Sequence, residues 1–428
     1  MQRQHCFKKL TLMLSDISDQ VGLHHMQHGK RVAYMATECF LHDPISGLKP
    51  EDVFISGLLH DIGVSSSNDS RLLLSDNHWK NRYIHCVTGA KRIQQLPFFA
   101  HYASAIQQHH TPWKELKRIR TLTDKDKKLA NLIHLTDQVD ALLFQHRERH
   151  PNSESILAKP YVYERLDNMR DDFSDDILAS FFSVSEKEAF WFTLEPLHLN
   201  DYVHSFPLKR EVELSLDDIE IIATILSMII DAKSPFTAEH SYCVGLLSFF
   251  IAQAYGLPQS KCQQLRISGL LHDIGKLRIP DSLLDKKGPL TTEESMVMHR
   301  HSYEAYSLLS RSCLFDDIQD WACHHHEYLD GSGYPYRLKG REINIETRIL
   351  TIADIFQALV QKRPYRESLD VASVMKILQT MADQGKIDHD ILNIVIENKD
   401  MCWQLASNTA DLKRERSIHR TVKDMSLM

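Results

Sequence analysis

Apolar residues recur at intervals of three and four along much of the chain. Val244, Leu247 and Ile251 follow this spacing, and the segment 371–378 repeats it. Such spacing predicts amphipathic helices. Strand-like alternation is scarce, and 15 glycines and 14 prolines in 428 residues leave few positions that would interrupt a helix. The pattern therefore predicts an almost entirely helical, all-α protein.

The helical pattern divides into three stretches and a tail. Residues 1–150 are predicted to form one helical unit, and residues 151–213 a helical connector. A second unit is predicted over residues 214–405, where Ser215 is a candidate helix cap with acidic residues in the first turn. Residues 406–428 are predicted to be a polar tail.

Composition narrows the functional class. The chain has 50 Lys and Arg against 57 Asp and Glu, a formal net charge of −7, which argues against a broad cationic surface for duplex nucleic acid. A small anionic substrate is still compatible, because a few local cations or metals can dominate a site. The eight cysteines are scattered without CxxC spacing, and no apolar run is long enough to span a bilayer. We therefore expect free thiols in a cytoplasmic protein without a membrane span.

An internal repeat is the main organisational feature of the sequence. The string GLLHDIG at 57–63 recurs unchanged at 269–275, and five histidines and two aspartates accompany each copy at nearly the same spacing. The first set is His28, His60, Asp61, His85, His109, His110 and Asp137. The second set is His240, His272, Asp273, His301, His325, His326 and Asp354. Single histidines on helices are usually core or surface residues, but a duplicated set indicates two copies of one metal-ligand scaffold.

The residue types in the second set predict the kind of metal. Imidazole combined with carboxylate suits divalent transition metals such as Fe, Mn, Ni or Co, whereas Mg and Ca prefer oxygen ligands. Seven ligands are too many for one tetrahedral ion that keeps an open position. Two ions sharing a bridge fit better, and Asp273 is the natural bridge because it adjoins His272 and has two oxygens.

The blocks around the second set resemble the HD-GYP subfamily of the HD superfamily of metal-dependent phosphohydrolases. The matching blocks are HDIGK at 272–276, MHRHSYEA at 298–305, HHEYLDGSGYP at 325–335 and ADIFQALVQKRPYR at 353–366. The resemblance covers roughly residues 214–400. It implies two tandem HD-type helical domains and metal-dependent hydrolysis of cyclic dinucleotides by a hydroxide activated between two metals. Cyclic di-GMP is the usual substrate, and 3′,3′-cyclic GMP-AMP is the neighbouring choice because some tandem-HD members cleave it.

The resemblance also assigns roles. It places His240, His272, Asp273 and Asp354 on one ion, and Asp273, His301, His325 and His326 on the other. It makes Asp273 and Lys276 catalytic, and it directs Lys276, Arg363, Arg366 and Tyr334 towards the substrate. The plainer alternatives are a surface lysine, a solvated basic face and a packing tyrosine. Three positions depart from the family: Ala305 replaces a Gly, Gln357 replaces an Asp, and Phe236 stands where some members have a Glu for a third metal.

The first copy is predicted to lack the groups on the substrate side. Val64 stands where the second copy has Lys276, and Thr-Pro-Trp follows His110 instead of the GYP loop. This copy keeps all seven ligand types and is a candidate for an additional metal. The candidate functions of the first copy are packing, regulation or homodimer formation. For the whole chain, an HD-type nucleotide phosphohydrolase and a non-catalytic cyclic-dinucleotide sensor are the alternative functions.

Overall fold

The structure, a computed structural model, consists of two compact helical units. It describes residues 3–21, 27–64, 83–208, 210–233, 239–361 and 368–407. The first unit is Phe7–Arg210, and the second combines residues 3–6 with the described residues from Glu211 onward. The predicted all-α fold is confirmed.

The first unit is built from helices in its described part. They are α1 (Phe7–Val21), α2 (His28–His42), α3 (Pro50–Leu59), α4 (Tyr83–Gln94), α5 (Ala103–Gln108), α6 (Trp113–Leu116), α7 (Asp124–Arg149), α8 (Lys159–Asp167), α9 (Asp175–Ser185), α10 (Glu188–Phe192) and α11 (Pro196–Ser205). Helices α2 and α3 pack closely because Gly57 lies against the backbone of Ala33, where a Cβ atom would come within 2.5 Å of the Ala33 Cα. This contact brings together the helix that begins at His28 and the helix that ends just before His60.

Residues 151–208 pack on the first unit instead of forming a separate connector. Helix α9 contacts α2 and α7, and α11 contacts α2. The Tyr34 hydroxyl donates to the Phe190 carbonyl at 3.1 Å, and Trp191 is fully buried with its indole N–H on the Ser185 carbonyl at 2.7 Å. The unit boundary in the structure therefore lies at 210, not at the two predicted boundaries at 150 and 213. Buried aromatic side chains hold this segment in place, and the local pattern does not reveal the partner against which they pack.

The second unit is also helical, with one short ribbon. Its elements are β1 (Arg3–Cys6), β2 (Glu211–Leu214), α12 (Leu216–Lys233), α13 (His240–Tyr255), α14 (Gln259–Leu271), α15 (Asp281–Leu284), α16 (Thr292–Leu309), α17 (Gln319–Cys323), α18 (Ile345–Val360), α19 (Val371–Asp383), α20 (His389–Glu397) and α21 (Lys399–Ala406). β1 and β2 are antiparallel, with Arg3 opposite Leu214 and Cys6 opposite Glu211. The sequence prediction missed the ribbon, because four residues are too few to establish an alternation.

Helix starts and core positions in the second unit follow the sequence pattern. Ser215 and Asp218 form reciprocal capping bonds, from the Ser215 N–H to the carboxylate at 2.9 Å and from the Asp218 N–H to the hydroxyl at 3.2 Å. Val244, Leu247 and Ile251 are completely buried on α13. Helices α13 and α14 cross where Gly269 meets Gly245, as Gly57 meets Ala33 in the first unit. Within the described residues, no helix combines the length and the apolar character needed to cross a membrane.

Candidate metal centres

The seven predicted ligands of the second unit come from separate elements and meet in one place. His240 begins α13, and His272 follows the last residue of α14. His301 lies on α16, and Asp354 lies on α18. Asp273, His325 and His326 complete the set from the residues just after α14 and α17. All seven are buried except His326, which is partly exposed.

The backbone fixes which nitrogen of each imidazole faces inward. The Nδ1 atoms of His272, His301 and His325 each lie 2.6–2.7 Å from the carbonyl oxygen three residues earlier in the chain. A carbonyl only accepts, so each Nδ1 carries the proton and each Nε2 presents a lone pair. An imidazole with a free Nε2 lone pair is the form that binds a metal.

His240 is oriented by a side chain instead of a carbonyl. Its Nδ1 lies 2.5 Å from Gln357 Oε1, which accepts the proton. Its Nε2 lies 3.1 Å from His272 Nε2 and 3.1 Å from Asp354 Oδ1. Gln357, noted in the sequence only as a departure from the family, therefore positions a predicted ligand. A sequence signal was available, because Gln357 lies one helical turn after Asp354.

Asp273 lies between the two groups of ligands. Its Oδ2 is 3.3 Å from His272 Nε2 and 3.5 Å from His240 Nε2, while its Oδ1 is 3.5 Å from His301 Nε2. The Lys276 ammonium donates to Oδ2 at 2.5 Å. Burial acts to raise the pKa of Asp273, but Lys276 and His272 hold this pKa well below its usual range. The carboxylate is thus ionised, and each of its oxygens faces a different ligand group.

Burial keeps the imidazoles of His301, His325 and His326 neutral. It lowers the pKa of His301 to about 4 and that of His326 to about 3, and it lowers the pKa of His325 well below its usual value. Neutral imidazole is the metal-binding form, so these side chains do not have to lose a proton to bind a cation at neutral pH. His240, His272 and Asp273 form one group able to hold an ion, and His301, His325 and His326 form another. The donor set fits the transition metals expected from the sequence.

The GYP loop, residues 327–338 with the motif Gly333-Tyr334-Pro335, lies beside this centre and is held by a buried carboxyl group. Glu327 is 2% exposed, and it accepts from the backbone N–H groups of Tyr336, Arg337 and Leu338 at 2.6–3.1 Å. The Tyr334 N–H donates to the His326 carbonyl at 3.2 Å, which places the tyrosine beside that ligand. Glu327 therefore shapes the loop, a role that its position in the HHE block did not reveal.

The Tyr334 side chain contacts two histidine rings. Its ring stacks on His299 with centroids 3.7 Å apart, and it lies 4.8 Å from the ring of His326. His299 lies two residues before His301 and was not predicted as a site residue. Arg363, Arg366 and Phe236 lie outside the described residues.

The first unit assembles its seven ligands in a similar way. His28 Nε2 lies 3.1 Å from His60 Nε2 and 3.3 Å from Asp137 Oδ1. His60 and His109 donate from Nδ1 to the carbonyls three residues earlier, so their Nε2 lone pairs also point inward. His110 completes the set, with its Nδ1 3.6 Å from Asp137 Oδ2.

Asp61 occupies the position between the ligand groups that Asp273 occupies in the second unit. Its Oδ2 is 3.5 Å from His28 Nε2, and its Oδ1 is 3.3 Å from His85 Nε2 and 3.7 Å from His109 Nε2. Oδ1 is buried and has no hydrogen-bond donor among the described residues. This oxygen and an imidazole lone pair that faces it repel each other unless a proton or a metal ion lies between them. The first cluster is therefore also suited to a cation.

Two positions distinguish the first cluster from the second. His28 Nδ1 lies 2.7 Å from Asp140, which is also paired with Arg31 at 2.5 Å, whereas the second unit has the neutral Gln357 at this place. Cys86 follows His85, and its Sγ lies 3.6 Å from His85 Nε2 and 3.9 Å from His109 Nε2. Burial acts to raise the pKa of Cys86, but His109 and His85 lower it to about 6. The sequence analysis missed Cys86, although its position beside a repeated histidine was visible.

A tight glycine contact fixes the third histidine in both units. A Cβ on Gly275 would lie 1.8 Å from the His301 carbonyl oxygen, and a Cβ on Gly63 would lie 1.8 Å from the His85 carbonyl oxygen. The helix that carries the third histidine thus passes directly over the turn that follows the HD pair. Gly275 therefore lets His301 come close to His272, and Gly63 lets His85 come close to His60.

Comparison with known proteins gives the family. Residues 26–142 and residues 224–391 each match a model of the HD domain. The 3′3′-cGAMP-specific phosphodiesterase 1 of Vibrio cholerae serotype O1 is 36% identical over 395 residues, which cover 91% of this chain and 90% of that protein. The chain belongs to the HD-GYP family of cyclic-dinucleotide phosphodiesterases.

Further relatives of this HD-GYP protein agree with that assignment. A cyclic di-GMP phosphodiesterase of Thermotoga maritima is 36% identical over 202 residues, covering 45% of this chain and 54% of that protein. The crystal structure of a cyclic GMP-AMP-specific phosphodiesterase of V. cholerae matches with a TM-score of 0.63 and 22% identity, covering 93% of this chain and 98% of that one. This structural likeness confirms the fold of two HD domains.

The predicted activity class is therefore confirmed: the protein is a metal-dependent phosphodiesterase of cyclic dinucleotides. The HD domains account for the metal dependence, and the ligand clusters in both units are suited to metal ions.

Proposed function

We propose that the protein hydrolyses 3′,3′-cyclic GMP-AMP in preference to cyclic di-GMP, and that residues 214–405 form its catalytic domain. The observation that carries the preference is the likeness to a 3′3′-cGAMP-specific phosphodiesterase over about nine tenths of both chains. The compared cyclic di-GMP phosphodiesterase covers less than half of this chain.

Two divalent transition-metal ions, from among Fe, Mn, Ni and Co, would be held in the second unit. His240, His272, Asp273 and Asp354 would hold one ion, and Asp273, His301, His325 and His326 would hold the other. When bound, such ions supply Lewis-acid chemistry that screens the negative charge of a phosphodiester. The protein itself supplies neutral imidazoles at His301, His325 and His326, two ionised aspartates, and a buried setting that strengthens their electrostatic interactions.

Lys276 is proposed to act on the substrate side of the centre. Its ammonium is partly exposed and bonded to Asp273, so it can keep this carboxylate ionised and still donate to a phosphate oxygen at the rim. Tyr334, together with its stacked partner His299, offers an aromatic surface for a base beside His326. Arg363 and Arg366 are proposed as phosphate contacts on the resemblance alone.

The first unit is proposed to be non-hydrolytic. Val64 is buried and apolar where the second unit has Lys276, so this position of the first unit offers no cation to a phosphate. Regulation, packing or homodimer formation remain the proposed tasks of this unit.

The substrate proposal is tested by competition. Purified protein is loaded with Mn or Fe under anaerobic conditions and given equal amounts of the two cyclic dinucleotides, and linear products are separated by chromatography. We expect kcat/KM for 3′,3′-cyclic GMP-AMP to exceed that for cyclic di-GMP by about tenfold or more, equivalent to about 1.4 kcal/mol of discrimination. Equal rates, or a preference for cyclic di-GMP, would overturn the proposed preference.

A further inference from the structure

The cluster in the first unit carries a sulfur donor that the second cluster lacks. Cys86 is completely buried, and its thiol faces the same space as the ring nitrogens of His85 and His109. The corresponding residue of the second unit is Ser302, which follows His301 as Cys86 follows His85. The ligand atoms of His85, Cys86, His109 and His110 all lie within 4.8 Å of one another.

The spacing of these atoms matches a single tetrahedral ion. With metal–sulfur bonds near 2.3 Å and metal–nitrogen bonds near 2.0–2.1 Å, a tetrahedron separates two nitrogens by about 3.3 Å and a sulfur from a nitrogen by about 3.6 Å. Between His85 and His109 the two Nε2 atoms are 3.1 Å apart, and the Cys86 Sγ lies 3.6 and 3.9 Å from them. Little rearrangement would be needed to close these atoms around an ion.

The tautomer of His109 supports the same arrangement. Its Nδ1 donates to the Ile106 carbonyl at 2.6 Å, so its Nε2 presents a lone pair towards Cys86 and His85. The buried Asp61 Oδ1 lies 3.3 Å from His85 Nε2 and 3.7 Å from His109 Nε2 and adds negative charge. The cluster thus combines one sulfur donor with imidazole nitrogens and a nearby carboxylate, a donor set suited to a metal cation.

We propose that His85, Cys86, His109 and His110 form a closed zinc site of the His₃Cys type in the first unit, different in metal preference from the centre of the second unit. A thiolate selects a soft or borderline ion such as Zn²⁺, whereas an imidazole and carboxylate set is open to Mn and Fe. Four protein ligands fill a tetrahedral ion and leave no position for water or a phosphate oxygen. The site therefore stabilises the first unit and takes no part in hydrolysis.

The sulfur ligand is tested by cobalt substitution in the full-length protein. Metal-depleted protein is titrated with Co²⁺ under anaerobic conditions, and the near-ultraviolet sulfur-to-cobalt charge-transfer absorption is followed. We expect this absorption in the wild type and its loss in Cys86→Ser, which introduces the residue of the second unit. Cys39→Ser removes another buried thiol of the same unit and is the matched control that keeps the absorption. No absorption in the wild type, or wild-type intensity in Cys86→Ser, would overturn the proposal.

Zinc itself gives a second measurement that needs no variant. X-ray absorption at the zinc edge of zinc-loaded wild-type protein should show a sulfur neighbour at about 2.3 Å. A shell of nitrogen and oxygen alone would overturn the proposal even if Cys86→Ser fails to fold. In chelator competition, Cys86→Ser should lose zinc affinity by at least the roughly 10–100-fold that follows loss of an outer-shell partner. Neither spectroscopic readout depends on turnover, so they are separable from the proposed substrate preference.

Discussion

The chemistry of the second centre depends, residue by residue, on which imidazole nitrogen carries the proton. Three of the proposed ligands are held by backbone carbonyls three residues earlier in the chain, and these bonds are local consequences of the backbone. His240 is different, because its proton is held by Gln357 on another helix. The orientation of His240 therefore depends on the side chain of Gln357, which a substitution can remove.

Gln357→Leu is expected to weaken metal binding without removing a ligand. The leucine cannot accept the His240 Nδ1 proton, so the ring is free to rotate or change tautomer, and metal affinity should fall by roughly 10–100-fold. The measurement is a metal titration by calorimetry, with turnover at saturating metal as a second readout. Gln357→Glu keeps an acceptor and imitates Asp140 of the first unit, so it should retain most of the affinity. Equal losses in both variants would contradict the orienting role of Gln357.

Two elements position proposed ligands in the second unit. They are the turn after His272 and the GYP loop after His326. The turn after His272 passes under α16 at Gly275, and the GYP loop wraps around Glu327. Neither Gly275 nor Glu327 is a proposed ligand, yet both position residues that are. Each therefore gives a prediction about stability as well as activity.

Gly275→Ala is expected to be strongly destabilising. Its Cβ would meet the His301 carbonyl oxygen at 1.8 Å, which is backbone and cannot move without shifting α16. We expect a loss of about 3 kcal/mol or more in the free energy of unfolding, measured by urea denaturation. Gly256→Ala is the control, because it has a positive φ of 91° but open space around it, and should cost only about 1–2 kcal/mol. Similar losses in the two variants would show that the close contact at Gly275 can relax.

Glu327→Ala is expected to loosen the GYP loop. The backbone N–H groups of Tyr336, Arg337 and Leu338 would lose their buried carboxyl acceptor, at a cost of about 2–3 kcal/mol. Thermal unfolding measures this loss, and KM for the cyclic dinucleotide should rise as Tyr334 loses its fixed position. Glu397→Ala, which removes an exposed carboxylate, should change neither quantity. An unchanged KM in Glu327→Ala would separate the loop from substrate binding.

Sequence patterns predicted the helices, and the histidines and aspartates that meet in each unit, better than the contacts between elements. These histidines and aspartates were visible because their residue types and spacings recur in the two halves of the chain. Glu327 and His299 were not, because the loop that they hold or stack against closes only in three dimensions. The segment 151–208 was misassigned for a similar reason, since buried aromatics such as Trp191 do not indicate which neighbour will cover them.

At the scale of the whole molecule, the two clusters of repeated histidines and aspartates are surrounded by different residues. Lys276, Gln357 and the GYP loop accompany the second cluster, whereas Val64, Asp140 and Cys86 accompany the first. The candidate ligands are arranged in a similar way in both units, so we expect any difference in activity between the units to come from these surrounding residues.

Paired substitutions in the two units are expected to have unequal effects on activity. His272→Ala with Asp273→Ala should abolish measurable hydrolysis of the cyclic dinucleotide, because it removes ligands from both proposed ions. His60→Ala with Asp61→Ala should leave much of the activity, because the first unit is proposed to be non-hydrolytic. Product chromatography measures hydrolysis by each variant, with circular dichroism to verify folding. Equal loss of turnover from both pairs would show that the first unit is needed for hydrolysis.

The short ribbon at residues 3–6 and 211–214 has a consequence for how the chain can be divided. The first unit interrupts the second along the chain, and the Phe7 N–H donates to the Arg210 carbonyl at 3.2 Å, so the two ends of the first unit meet. A fragment starting at residue 214 would lack both strands, whereas excising residues 7–210 and joining the neighbouring ends by a short flexible linker would keep them paired. The first unit is thus inserted into the second along the chain, and its removal by internal deletion is the cleaner way to obtain the second unit alone.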